Sequence, residues 1–155
     1  MAIRNPADLR AALQPGQRLM GFDIGEKTLG LALSDTSLTI ATPLETLRRG
    51  KFSADVAILA RFVEEHRIGG FVLGLPVNMD GSEGPRCQSV RAFANNLMGK
   101  IDLPLAFWDE RLSTAAVTRT MLDADLSRSR RAELVDKLAA AYILQGFLDR
   151  LKSAP

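Results

Sequence analysis

The 155 residues contain one cysteine, one histidine, one tryptophan and one tyrosine. A lone Cys87 cannot close an internal disulfide, which excludes a disulfide-stapled mini-protein and fits a reducing compartment. It reads instead as a small buried hydrophobe. A lone His66 has no nucleophile beside it in the sequence, so Ser-His-Asp and Cys-His chemistry have no support. Its place at the end of a predicted helix points to a structural role. No apolar run approaches the roughly 18–20 residues of a membrane-spanning helix. The opening, Met1 to Pro6, has no apolar signal core, and Asp8 sits awkwardly in a transit peptide. The expected location is therefore cytoplasmic, away from membranes. No Gly-x-x-x-x-Gly-Lys-Ser/Thr loop occurs, so a P-loop nucleotide site is not supported. Charge of one sign is also missing: 20 Lys and Arg against 18 Asp and Glu give +2. That balance neither demands nor excludes nucleic acid.

What is present is 46% hydrophobic and 25% charged residues over the length of one domain, enough for a single core. Residues 1–17 read as an N-terminal extension with a short helix: Asn5 as cap, Pro6 at its first position, Leu9 and Leu13 on one face. Residues 18–152 read as one domain. Three strand-like runs follow at 18–23, 28–34 and 39–47, and Pro43 suits an edge position or a bulge. Their short links predict an antiparallel meander. The period then changes to that of a helix, with Ser53 as cap, Val56, Leu59, Ala60 and Val63 on one face, and Gly69-Gly70 as the stop. A strand at 71–75, a helix carrying Val90, Phe93, Ala94 and Leu97, and a strand at 105–108 come next. A short helix from Ser113 to about Leu122, a polar stretch at 123–129 and a last helix over 131–151 complete the order. Strand–helix alternation implies right-handed parallel crossovers. The expected fold is α/β: a five-stranded mixed sheet, an antiparallel meander followed by two parallel strands, with helices on both faces.

Three carboxylates occupy unusual places. Asp23 follows Leu19-Met20-Gly21-Phe22 at the carboxyl end of the first strand, where open α/β sheets place their ligands. Gly25 just beyond would let the chain turn sharply and a substrate approach the backbone. Glu110 holds the same kind of position on the last strand; alone, it would read equally as a surface acid paired with Arg111. Asp136 shares a helix face with Ala139, Ala140, Ile143 and Phe147, and a carboxylate on such an apolar stripe is costly unless paired or bound to metal. Three converging carboxylates without histidine favour hard cations, Mg²⁺ or Mn²⁺. Two such ions can clamp a phosphodiester and activate water. The basic clusters Arg48-Arg49-Lys51 and Arg128, Arg130, Arg131 read as solvated faces unless phosphate chemistry lies nearby.

At these residues the chain resembles the YqgF or RuvX-like family, RNase H-like proteins described as pre-16S rRNA nucleases or Holliday junction resolvases. Four segments carry the resemblance: Phe22-Asp23-Ile24-Gly25 with Gly30-Leu31-Ala32; Gly74-Leu75-Pro76-Val77-Asn78-Met79-Asp80-Gly81; Asp109-Glu110-Arg111-Leu112-Ser113-Thr114; and Asp136 with Ala139-Ala140 and Ile143-Leu144. The resemblance implies an RNase H-like fold and a metal-binding catalytic triad of Asp23, Glu110 and Asp136. It also implies that the Asn78–Gly81 loop lies beside the site, where Asn78 would hold a phosphate, orient a carboxylate or simply close a turn. Lys27, Arg86, Arg111, Arg128, Arg130 and Arg131 become candidate phosphate contacts. The sequence departs from the family at Glu26, where a small or hydroxyl residue is usual; a carboxylate there would weaken substrate binding if it faced the phosphate path.

The leading expectation is a Mg²⁺- or Mn²⁺-dependent nuclease that processes the 5′ end of pre-16S rRNA, alone or on a ribosomal precursor particle. The alternatives are a Holliday junction resolvase, which would need a homodimer rather than a monomer, and a module that binds structured nucleic acid without cutting. An actin-like or sugar-kinase ATPase half is a further rival, because those folds also place Asp-x-Gly on a first strand. They need two such domains, and this length supplies one.

Overall fold

A computed structural model describes residues 4–112 and 128–153, with 128–136 described as helical backbone only. The elements are α1 (Pro6–Ala12), β1 (Arg18–Ile24), β2 (Thr28–Ser34), β3 (Ala41–Arg48), α2 (Phe52–His66), β4 (Ile68–Leu75), α3 (Pro85–Lys100) and β5 (Leu105–Asp109). A single 3-10 turn at Glu110–Leu112 and the long helix α4 (Arg128–Ser153) follow. The five strands form one sheet in the order β3-β2-β1-β4-β5. The first three pair antiparallel, and β4 and β5 continue parallel to β1. The mixed sheet expected from the pattern is therefore the one formed, with β1 at its centre. The expected short helix at 113–122 and most of the polar stretch at 123–129 lie outside the described residues. No helix among the described residues is long and apolar enough to cross a membrane.

Alternation along β1 sorts the core into two layers. Met20, Phe22 and Ile24 pack with Leu59, Phe71, Phe93 and Leu97 beneath α2 and α3. Leu19 packs on the other face with Val72, Ala106, Ile143, Leu144, Phe147 and Leu148 beneath α4. On this second face α4 lies directly on backbone. A Cβ at Gly21 would stand 2.7 Å from Leu144 Cβ and 3.1 Å from the Ala140 carbonyl. One at Gly74 would stand 2.5 Å from Ile143 Cδ1.

Several boundaries differ from expectation, each for a local reason. The last helix begins at Arg128, three residues before the expected start. The third strand begins at Ala41, because the Asp35 carboxylate accepts from the Thr39 and Ile40 N–H groups and holds them in a turn. Pro43 sits on the edge strand at a register shift, as expected of a residue without an N–H. The second helix is not capped by Ser53: it starts at Phe52, and Asp55 reaches back to accept from the Gly50 N–H. It ends on Arg67 in the left-handed region, φ 53°. Gly69 and Gly70 belong to β4, where they make room for the N-terminal segment; a Cβ at Gly70 would stand 2.9 Å from Leu9 Cδ1. Asn5 does cap α1, accepting from the Asp8 N–H at 2.8 Å. Leu9 is fully buried in the α4-side core, and the Arg4 N–H donates to the Leu105 carbonyl.

Two glycine replacements separate these roles. Gly21→Ala forces α4 off the sheet and is expected to cost about 1–3 kcal/mol or more. Gly99→Ala, in a helix with nothing within 4 Å of the added carbon, is expected to gain about 0.4–1 kcal/mol. Urea-unfolding midpoints of the two variants against the parent protein measure both, and shifts of the same sign would contradict the packing.

Candidate functional site

Asp23 is 3% exposed and lies one residue from the end of the central strand. By alternation it shares the face of Leu19 and Gly21, the side covered by α4. It pairs with Gly30 on β2. The ladder with β4 last pairs Phe22 with Leu73, so Asp23 stands beside Gly74. Glu110 reaches the same glycine from the other side. Its Cγ and Oε2 each lie 3.2 Å from where a Gly74 Cβ would be. A side chain at position 74 would thus displace Glu110 as well as α4. Two carboxylates, one buried and one half-buried, flank a bare stretch of β4 at the carboxyl edge.

The direction of α4 fixes where its N-terminal turns go. Gln145 Nε2 donates to the Thr39 carbonyl and its Oε1 accepts from the Ala41 N–H, at the end of the sheet where β1 begins. Ala140 and Leu144 lie over Gly21, mid-strand. The helix therefore runs antiparallel to β1. Residue 136 lies one turn, about 6 Å, beyond Ala140 toward the Asp23 edge. The Asp136, Arg128, Arg130 and Arg131 side chains lie outside the described residues. Among the described residues no group of three His, Cys, Asp or Glu gathers around one point. The described pair offers only oxygen donors, a set that fits a hard divalent cation and not zinc.

Arg111 does not pair with Glu110. Its Nε and Nη2 donate to the Asp109 carboxylate at 2.7–3.1 Å, and its N–H donates to Asp109 Oδ1 at 2.9 Å. Nη1 donates to the Met79 carbonyl at 3.3 Å. Arg111, a candidate phosphate contact by sequence, thus ties the 78–82 loop to the end of β5. The guanidinium holds the Asp109 carboxyl below the usual carboxylate range. The loop closes on itself. Asn78 Nδ2 donates to Ser82 Oγ, and the Ser82 hydroxyl and N–H donate to Asp80 Oδ1. Gly81 takes φ +89°, a conformation other residues rarely adopt. The Asn78 amide is therefore engaged in the turn. The sequence signal for this ion pair is the Asp109-x-Arg111 spacing at a strand end, which competes with the simpler neighbour pairing of Glu110 with Arg111.

Gly25 closes the hairpin between β1 and β2: its N–H donates to the Thr28 carbonyl at 2.9 Å, and its own carbonyl accepts from Arg49 Nη1 at 2.7 Å. Lys27 and Glu26 are exposed on that hairpin. Arg86 Nη2 donates to the Ile24 carbonyl at 3.3 Å. Arg49 and Arg86 line a cleft of about 550 Å³ that also includes Gly25, Glu26 and Phe93. Ile24, Phe52 and Phe93 place this cleft on the α2–α3 face, so Asp23 and the cleft share an edge but not a face.

A family model described as RuvX, Holliday junction resolvase, matches residues 17–150. A protein of Paramagnetospirillum magneticum, named as a candidate pre-16S rRNA nuclease, is 64% identical over 149 residues, 96% of each chain. One of Rhodobacter capsulatus with the same name is 65% identical over 144 residues, 93% of this chain and 91% of that one. Among solved structures, Thermus thermophilus RuvC in complex with a Holliday junction superposes with a TM-score of 0.55 at 16% identity. It covers 89% of this chain and 98% of its own. That likeness shows the fold, which is RNase H-like.

The Asp109–Arg111 pair makes a pH prediction. A carboxyl whose folded pKa is depressed contributes stability above its unfolded value, about 3.9, and loses it as pH falls through the lower folded value. The Arg111 Nε–H resonance is expected to hold its position from neutral pH through about pH 4 and to move only below that. Asp109→Asn should shift it at every pH. A resonance that moves through the ordinary carboxylate range would contradict the tether.

Proposed function

The chain belongs to the RuvX family, and on that premise we propose that it is a divalent-metal-dependent nuclease whose substrate is the 5′-extended precursor of 16S rRNA. The observation that carries this reading is the pair of carboxylates around Gly74: buried Asp23 on the central strand and Glu110 just past β5, at the carboxyl edge of one sheet. Asp136, one helical turn beyond Ala140, supplies the third oxygen donor in this reading. The names carried by the relatives support RNA as substrate.

The three carboxylates would hold Mg²⁺ or Mn²⁺, which when bound lowers the pKa of an attacking water and offsets charge on the leaving oxygen. The chain's own residues supply position. Asp23 is held by strand pairing with Gly30 and by its burial beneath α4. Glu110 is set by the 3-10 turn that follows β5, and Arg111 anchors that turn through Asp109. The bare backbone at Gly74 keeps side chains out of the space between the two acids. The Asn78–Gly81 loop, tied to Arg111, forms the wall beside them. Lys27 and the Arg128–Arg131 segment are further phosphate contacts in this reading, and the cytoplasm is its location. Junction resolution is the second reading, favoured by the description of the family model; it requires a two-fold dimer.

Cleavage assays with Mg²⁺ or Mn²⁺ on a 5′-extended 16S leader RNA and on a mobile four-way DNA junction test both readings. RNA trimming is expected, and Asp23→Asn, Glu110→Gln and Asp136→Asn should each reduce it by at least about 100-fold. Symmetric junction nicking lost in the same variants would replace the RNA reading with the resolvase one. Cleavage of either substrate that survives all three substitutions would rule out this site.

A further inference from the structure

The cleft on the α2–α3 face lies one and two residues past Asp23 along the chain. Arg86 is anchored to the Ile24 carbonyl and Arg49 to the Gly25 carbonyl, so two guanidinium groups converge on consecutive peptide units. Each commits one N–H to that anchor, out of the five a guanidinium carries. Arg49 is further fixed by lying 5.4 Å over the Phe93 ring. Phe93, itself buried, meets Phe52 edge-to-face at 5.7 Å and sets that half-buried ring in the lining of the cleft. Both helices of this face begin at the cleft, with Phe52 and Pro85 in its lining. The N-terminus of α3 has no side-chain cap and no acid in its first turn, whereas that of α2 already carries Asp55, bonded to the Gly50 N–H. Fixed cations, one open helix N-terminus and the half-buried Phe52 ring are what an unpaired nucleotide needs: donors for its phosphate, a surface for its base. Glu26 is the one acid in the lining and opposes an anion there.

We propose that this cleft is a phosphate-and-base subsite for an unpaired nucleotide next to the bond cleaved at the carboxylate edge. Arg86 and Arg49 take its phosphate, Phe93 holds Arg49 in place from beneath, Phe52 offers its base a surface, and Glu26 lowers its affinity. A strand crossing the Gly25 hairpin would place successive phosphates on the two faces, since the residues that define the two sites are neighbours in sequence. The assignment of the flanking position rests on the nuclease reading; the cleft's binding of single-stranded RNA does not.

The test is fluorescence anisotropy of the full chain with a short labelled single-stranded RNA in EDTA, so that nothing is cleaved. Arg86→Gln is expected to weaken binding about tenfold and to reduce the salt slope by about one. Glu26→Gln is expected to tighten binding severalfold, an effect no folding defect can mimic. Ser89→Trp, at an exposed lining position, fills the cleft and should weaken binding, while Asp23→Asn should not. In cleavage assays Arg86→Gln should raise KM with little change in kcat. Opposite shifts for Arg86→Gln and Glu26→Gln without any cleavage would sustain the cleft and sink the nuclease reading. Carboxylate-dependent cleavage with affinity, salt slope and KM unchanged in Arg86→Gln, Glu26→Gln and Ser89→Trp would overturn the cleft and leave the nuclease reading standing.

Discussion

Everything at the carboxyl edge depends on how closely α4 can approach the sheet. A helix resting on ordinary side chains stands about 10 Å from a sheet; here Ala140 and Leu144 press onto Gly21, and Ile143 onto Gly74. The approach is possible only because two neighbouring strands offer bare backbone two residues apart in register, Gly21 opposite Val72 and Gly74 beside Asp23. It has a second effect, because Gly74 also bounds the space into which Glu110 turns. One missing side chain thus sets the depth of the helix and the position of a carboxylate. Selection for helix packing and selection for the acid pair act on the same atoms, so a change at position 74 cannot trade one for the other.

The central strand divides its labour by alternation. Its odd positions deliver Asp23 to the α4 side, and its even positions build the core beneath α2 and α3. The strand's last carbonyls then hold Arg86 and Arg49 on that opposite side. A buried acid and the carbonyls that anchor two cations therefore occupy three consecutive residues, Asp23 to Gly25, with the acid and the cations on opposite faces of the sheet. Had the arginines shared the face of Asp23, ion pairing would have competed with a metal for its oxygens. Separation by a sheet leaves negative charge on one face and positive charge on the other, the arrangement a strand of phosphates needs if it meets a metal at one point and guanidinium groups at the next.

Much of this was legible in the sequence. The antiparallel meander, the switch to parallel strands and the place of Asp23 follow from period and turn spacing, because each strand is short and each crossover helix has an apolar face. Legibility failed where a residue's role is tertiary. Gly69 and Gly70 read as a helix stop, yet their smallness serves the N-terminal segment, whose Leu13 and Gln17 lie on Gly69 and whose Leu9 lies on Gly70. Ser53 has the chemistry of a cap, but Asp55 reaches back to the Gly50 N–H and the helix starts a residue earlier. The cleft was invisible, since Arg49 and Phe93 are far apart in sequence and only the fold stacks one over the other.

The end of β5 shows why a local pattern needs its geometry. Asp109-Glu110-Arg111 presents two acids and one base, and pairing the base with its immediate neighbour is the simplest reading. The 3-10 turn decides otherwise, because it brings the Arg111 N–H and guanidinium back onto the acid two residues before. Asp109 then spends its oxygens on structure, and Glu110 is left to turn inward over Gly74. Exchanging the two roles would need the turn to unwind, since residues one apart on it point in different directions. Arg111 spends three of its five guanidinium N–H groups on Asp109 and the Met79 carbonyl, so the turn that brings Glu110 inward is the same one that holds the 78–82 loop to the end of β5.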